Sequence, residues 1–356
     1  MRLIATLTLM ALSPLAAQAQ SPIEAGLGHV PDAVLSESGP IHAWFSAIAP
    51  QADGGDAGAF RHYLGAGRAL ETLRAAPSAV WEEKAGLPLG ALDYLLTYGN
   101  PPAETTIWGL TTEAAAASAL EALAARGFAP ADMDSLGNGE PGRIDPARRD
   151  PADPWRGKVG QASFVHASGA ALIQTEAPRL AGLGGQMSMA DNPLVATALT
   201  GLAGLKQGEI VQAVVISPLV GLSSPDMADL LGKSPEEVRA QWAEAAKAAG
   251  AGMAPFLGGI IADMEAERPQ LALSLTFADC ASAAAAAETI AARWSETMRT
   301  PLLETTATAV PGSDSLCAGL VTVDVESGEG NPAYRELLQM LMMNSGVPLL
   351  AVGTGE

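Results

Sequence analysis

Thr105-Thr106-Ile107-Trp108-Gly109-Leu110 runs almost directly into the alanine-rich stretch Thr112 to Arg126. The first segment is rich in β-branched and aromatic residues, which suit a strand. The second reads as a helix. Thr112 followed by Glu113 offers a start, and Gly127 offers a C-terminal stop. The same design returns downstream. Leu271 to Phe277 alternates as a strand, Asp279 follows, and an alanine-rich helix runs to about Met298. A strand–helix unit that occurs twice in 356 residues predicts a duplicated architecture.

Working outward extends each unit. After the first helix a loop of Gly, Pro, Asp and Arg occupies residues 129–160. Gln161–Ala167 and Ala171–Thr175 then read as strands joined at Ser168-Gly169. A helix follows from Asp191 to about Leu205, with Asp191 as its cap and Pro193 in its first turn. Ile210–Ser217 is a buried strand. In the second unit Thr305–Val310 and Cys317–Glu326 are strands, Asn331–Asn344 is a helix and Leu349–Val352 is a closing strand. Both orders are β-α-β-β-α-β, the split arrangement called ferredoxin-like.

A helical section is expected before each unit. Ile41, Trp44, Phe45 and Ile48 recur at helical spacing, Leu89–Tyr98 reads as a short helix, and Ser234-Pro235-Glu236-Glu237 is a capping signature. Pro255–Asp263 is apolar and matches neither period. The reading is therefore α+β, with two ferredoxin-like repeats, each preceded by a helical section. The divisions are a signal peptide at 1–19, a lead-in and helical cap at 20–99, a first repeat at 100–217, linking helices at 218–268 and a second repeat at 269–356. The alternative is one continuous sheet drawn from both repeats.

Residues 1–19 carry Arg2, an apolar run from Leu3 to Leu15 and the small-residue site Ala17-Gln18-Ala19, the pattern of a secretory signal peptide. The mature chain is expected in the periplasm or outside the cell. No later run reaches the roughly 18 apolar residues that a membrane span needs. The two cysteines, Cys280 and Cys317, are expected to form a disulfide, as an even count in an oxidising compartment suggests. No Cys-x-x-Cys pair points to redox catalysis.

A formal net charge of −19 repels phosphate backbones, so nucleic acid is not an expected partner. Nucleophile elbows, phosphate loops and histidine pairs at metal-ligand spacing are missing from the sequence, so no catalytic residue, cofactor or metal is expected. The most distinctive surface stretch is Asp145-Pro146-Ala147-Arg148-Arg149-Asp150-Pro151-Ala152-Asp153-Pro154-Trp155-Arg156. Asp145, Arg148, Arg149, Asp150 and Asp153 suit binding of a cation or carboxylate. They suit equally a self-neutralising network anchored by Trp155. His166 is a further ligand-binding candidate, read against a half-buried strand histidine with a backbone partner. Met340 and Met343 fall on a core stripe.

Three functions fit. The first is a non-catalytic exported module that binds a small ligand or an envelope protein in a cleft between the repeats. The second is a secreted hydrolase built from His166, Ser163 and the 145–156 loop. The third is a structural partner in an envelope assembly.

Overall fold

The structure, a computed structural model, describes residues 21–49, 60–75, 78–100, 103–178, 185–205, 208–221, 234, 237, 253–328, 330–343 and 347–352. Its centre is one sheet of 12 strands. The first half supplies β1 (Ile41–Ala47), β2 (Leu92–Tyr98), β3 (Thr105–Leu110), β4 (Ala129–Pro130), β5 (Leu136–Gly137), β6 (Phe164–Ser168) and β7 (Ala171–Thr175). The second supplies β8 (Glu209–Ile216), β9 (Gly258–Glu265), β10 (Gln270–Phe277), β11 (Glu304–Pro311) and β12 (Cys317–Asp324). The order across the sheet is β11-β12-β10-β9-β8-β1-β2-β3-β7-β6-β5-β4. All neighbours are antiparallel.

Read from the centre outward, β1-β2-β3-β7-β6 and β8-β9-β10-β12-β11 follow one plan. The two halves join where β1 lies beside β8, with Trp44 opposite Val214 in the middle of the pairing. This is the continuous-sheet alternative.

Seven helices cover the sheet among the described residues: α1 (Pro22–Leu27), α2 (Arg68–Ala75), α3 (Ser78–Ala85), α4 (Glu113–Ala125), α5 (Pro193–Ala203), α6 (Cys280–Thr297) and α7 (Pro332–Met342). On one face, α2, α3 and α4 close a core over the first half that includes Trp108, Leu95 and Trp155. On the same face α6 and α7 close a second core, with Leu273, Val321, Trp294 and Tyr334. The opposite face is shared by α1 and α5, which bury Leu96, Ile107, Val215 and Ala272.

Alanine makes this packing close. In α5, a Cβ on Gly201 would lie 2.9 Å from the Ala318 Cβ, so the helix backbone rests on the strands. The polar side chains of β10 meet it there. Ser274 Oγ donates to the Ala198 carbonyl at 2.7 Å, and Thr276 Oγ1 to the Leu194 carbonyl at 2.7 Å.

Several local readings hold. Thr112 caps α4 by accepting from Ala115 N at 3.1 Å, and Asp279 caps α6 by accepting from Ser282 N at 2.8 Å. Ser234 and Glu237 make the reciprocal capping contacts their spacing suggests. The signal peptide and most of the helix placed after Ser234 fall outside the described residues. The cap of α5 is Asn192, not Asp191, which instead accepts from Ser188 Oγ at 2.6 Å.

Other readings change. Ile41–Ala47 and Leu92–Tyr98 are strands, not helices. Both lie near the sheet centre with both faces covered, so their apolar residues do not alternate, and a bulge between Ile41 and Ala43 disturbs the period further. Pro348–Leu350 is a short 3-10 turn rather than part of a closing strand, and Val352 makes only a single bridge to Met253. The place beside β3 that a closing strand would take in a ferredoxin-like unit belongs to β2. The equivalent place beside β10 belongs to β9. The strand expected to close the first repeat, Ile210–Ser217, instead lies in β8 and opens the second half.

Candidate functional site

The 145–163 segment is held by its own side chains. Asp145 Oδ1 accepts from Ala147 N at 3.1 Å, Asp150 Oδ1 from Ala152 N at 3.0 Å, and Asp153 Oδ1 from Trp155 N at 2.8 Å. Each carboxylate closes a turn on its own backbone, as Asp does in loops. Asp150 also pairs with Lys84 at 2.9 Å, and this ammonium draws its carboxyl below the ordinary value. Arg148 reaches Asp145 at 3.5 Å on the surface. Arg149 is exposed, and Arg156 donates to the Asn138 carbonyl.

Trp155 is buried. Its ring stacks on Trp108 at 4.3 Å, and Trp108 stacks on Trp81 at 5.4 Å. Its Nε1 donates to the Ala85 carbonyl at 3.0 Å. Beneath the loop, Arg68 donates to the Trp155 carbonyl at 3.3 Å and to Ser163 Oγ at 3.2 Å. Trp155 is the buried anchor of the loop, but among the described residues Arg148–Asp145 is its one Arg–Asp pair, and the carboxylates close turns on backbone rather than neutralise the arginines.

Ser163 and His166 do not meet. Ser163 Oγ donates to the Trp155 carbonyl at 2.6 Å and accepts from Gln174 Nε2 at 2.8 Å. It shares its side of the strand with Val165, whereas His166 points to the opposite face. His166 is 2% exposed, and neither ring nitrogen has a hydrogen-bond partner among the described residues. The backbone partner expected for it is not there. Burial, and then the nearby His29, push its imidazole below the ordinary value.

The most distinctive polar site was not anticipated. It surrounds Asp263, in a cavity of about 310 Å³. Its walls come from both halves of the sheet: His62 and Tyr63 from the segment between β1 and β2, Gln212 and Asp263 from β8 and β9, and Asn331 from the start of α7. A bulge at Val211 sets Gln212 directly opposite Asp263.

Gln212 Nε2 donates to Asp263 Oδ2 at 3.1 Å, while its Oε1 accepts from Leu64 N at 2.5 Å. Asn331 Nδ2 donates to Asp263 Oδ1 at 2.9 Å. The Oδ1 of the same Asn331 caps α7 by accepting from Ala333 N and Tyr334 N. Two neutral amides therefore hold a carboxylate that is 8% exposed. Among the described residues the charged neighbour that shifts it is Glu265, of the same sign. Burial raises its pKa from 3.8 to about 6, and Glu265 adds to the rise.

A signal for this site was present in the sequence. Gln212 and Asp263 are lone polar residues inside the apolar runs Ile210–Ile216 and Gly258–Met264. A polar group in a doubly covered strand needs a partner or a purpose.

Cys280, the first residue of α6, is bonded to Cys317, the first residue of β12, as expected. Among the described residues no three His, Cys, Asp or Glu side chains gather as a metal site, and no helix is long and apolar enough to cross a membrane. No family model, curated protein or solved structure matches the chain.

Proposed function

We propose that the protein is an exported, non-catalytic binding module whose ligand is a small organic cation held at Asp263. The observation that carries this reading is a buried carboxylate with amide partners, no neutralising cation among the described residues, and an open cavity beside it. A buried charge is costly unless something of opposite sign meets it. A primary amine or guanidinium entering the cavity supplies that charge, and Glu265 and Glu267 at the rim favour its approach. The cavity lies at the small end of ligand-pocket volumes, which run from about 300 Å³ upward. The composition of residues 1–19 and the Cys280–Cys317 bond support export to an oxidising compartment.

The test is calorimetric titration of the mature protein with putrescine, arginine and choline, beside Asp263→Asn. At least one cation is expected to bind at pH 7.5, and the substitution to weaken it tenfold or more. Binding is expected to fade as pH falls through about 6, where the carboxylate takes up its proton. If none of the three cations binds, or if Asp263→Asn binds them equally well, the reading is wrong.

The same variant gives a ligand-free readout. The folded carboxyl titrates near 6 and the unfolded one near 3.8. Between these values the folded state holds the extra proton, so stability falls as pH rises through that window and stays lower above it. Asp263→Asn is expected to remove this slope and to be more stable than the parent at pH 7.5, by about 1–3 kcal/mol. Chemical denaturation at pH 4 and pH 7.5 checks it.

A further inference from the structure

We propose that β11 is a docking edge, and that its partner is the β11 of a second copy of this chain. β11 (Glu304–Pro311) ends the sheet and, among the described residues, pairs with β12 alone. All eight of its residues keep register with that neighbour. Pro311 stands opposite Cys317 but has no N–H to exchange, so the ladder bonds to β12 belong to the even-numbered residues. Gly312, which donates to the Leu316 carbonyl at 2.8 Å, continues that phase. The N–H and C=O groups of Thr305, Ala307 and Ala309 therefore point away from the sheet. Thr306, Ala307 and Thr308 are exposed, so the middle of the strand is open to solvent.

Sheets ordinarily blunt such an edge with lysine, proline, a bulge or a very short strand. The other edge follows that rule: β4 has two residues, and one is Pro130. β11 carries no lysine, keeps register throughout and has proline only as its last residue. What completes a row of outward amides and carbonyls is another extended strand. The sequence of β11 fits itself. Antiparallel pairing about a two-fold axis at Ala307 sets Thr305 opposite Ala309 and Thr306 opposite Thr308. Each outward N–H of one copy then meets an outward carbonyl of the other. Leu303, 45% exposed, comes opposite the exposed Pro311, so the pairing covers apolar surface at both ends. The one charged residue of the strand, Glu304, comes opposite Val310. The two Glu304 positions then lie about 20 Å apart along the strands, at about 3.4 Å per residue. That exceeds the screening length of roughly 8 Å at physiological salt, so the paired strands oppose no like charges.

The experiment is sedimentation equilibrium of the mature protein over a micromolar concentration series at physiological salt. A monomer–dimer equilibrium is expected. Ala307→Pro removes an outward donor at the axis and leaves the β12 ladder intact, and is expected to weaken the dimer at least tenfold. Ala307→Lys sets two ammonium groups opposite one another and is expected to do the same, which keeps the test open if the proline variant does not fold. The register has its own readout. Ala307→Cys is expected to cross-link copy to copy under mild oxidation, because paired positions at the axis lie about 5.5 Å apart between Cα atoms, within disulfide reach. Glu304→Cys is expected not to. A monomer at every concentration overturns the proposal and leaves the edge to a strand of another protein. A dimer that survives both the proline and the lysine substitution overturns it too, as does equal cross-linking at 304 and 307. Asp263 lies on β9, three strands in from this edge, so its amine titration reports on that site independently.

Discussion

The two halves of the sheet share a strand plan but are held by different means. In the second half, β10, β12 and β11 pair over eight residues each without a register break, and the Cys280–Cys317 bond ties α6 to the head of β12. In the first half the outer strands are short, ending in the two-residue β4 and β5, and the chain between β5 and β6 folds over as the 138–163 segment. Where the backbone ladder is long, a covalent staple at one corner suffices. Where it is short, order comes from side chains: a stack of three tryptophans, an arginine beneath the loop and three carboxylates that close turns. One topology does not prescribe one mode of stabilisation.

The sharpest way to break this contrast is Trp155→Ala. Deleting a buried tryptophan costs about 3–5 kcal/mol through lost burial and the cavity left behind. It also leaves the ring face of Trp108 and the carbonyl of Ala85 without their partner. The loss is expected to localise. Hydrogen exchange should quicken across residues 145–163 and in α3, while β10 and β12 keep their protection. Equal loosening of both halves would show that the aromatic stack supports the whole sheet, and the contrast would fall.

The opposite arm is Cys280→Ser with Cys317→Ser. Closing a loop of 37 residues stabilises by up to about 4 kcal/mol on the chain-entropy account. Residual structure in the unfolded chain lowers that figure, so a loss of about 2–4 kcal/mol is expected in denaturant unfolding. Reducing agent should shift the parent by the same amount and leave the double variant unmoved. Faster exchange should appear in α6 and β12, with the Trp155 region unchanged.

How much of this could be read beforehand depends on burial. Helices with one wet face and a polar cap were legible: Thr112, Asp279 and Asn331 each sit at the start of the helix they were expected to open. The hairpin at Gly169 was legible because its φ of +58° suits glycine. The central strands were not. In β1 the spacing of Ile41, Trp44 and Phe45 imitates a helix because both faces of the strand are covered and a bulge shifts the phase. In β9, Gly258–Met264 has no alternation at all.

The sites follow the same logic. The 145–156 loop advertised its charges, yet Asp145, Asp150 and Asp153 close turns on neighbouring backbone. Asp263 and His166 stood out less, each a polar residue between apolar neighbours in a strand. Their character comes from partners over 50 residues away, as with Gln212 and Asn331, or from the lack of a partner among the described residues, as with both nitrogens of His166.

The smallest expected effect tests whether the loop's charges matter once Trp155 is in place. Lys84 joins α3 to Asp150 at 2.9 Å, with each side chain about one-third exposed. Pairs this wet contribute about 0.2–1 kcal/mol and are screened by salt. The Asp150 carboxyl titrates below its ordinary value in the folded protein, so its share of stability is present above that ordinary value and is lost as pH falls through the lowered one. Lys84→Met keeps the aliphatic stem and removes the charge. A loss under about 1 kcal/mol at pH 7, absent at high salt and at pH 2, is the expected result. A loss as large as that of Trp155→Ala would mean that the ion pair, not the indole, anchors the loop. The first half of the sheet would then owe its order to a surface contact that salt can dissolve, and its stability should track ionic strength while that of the second half does not.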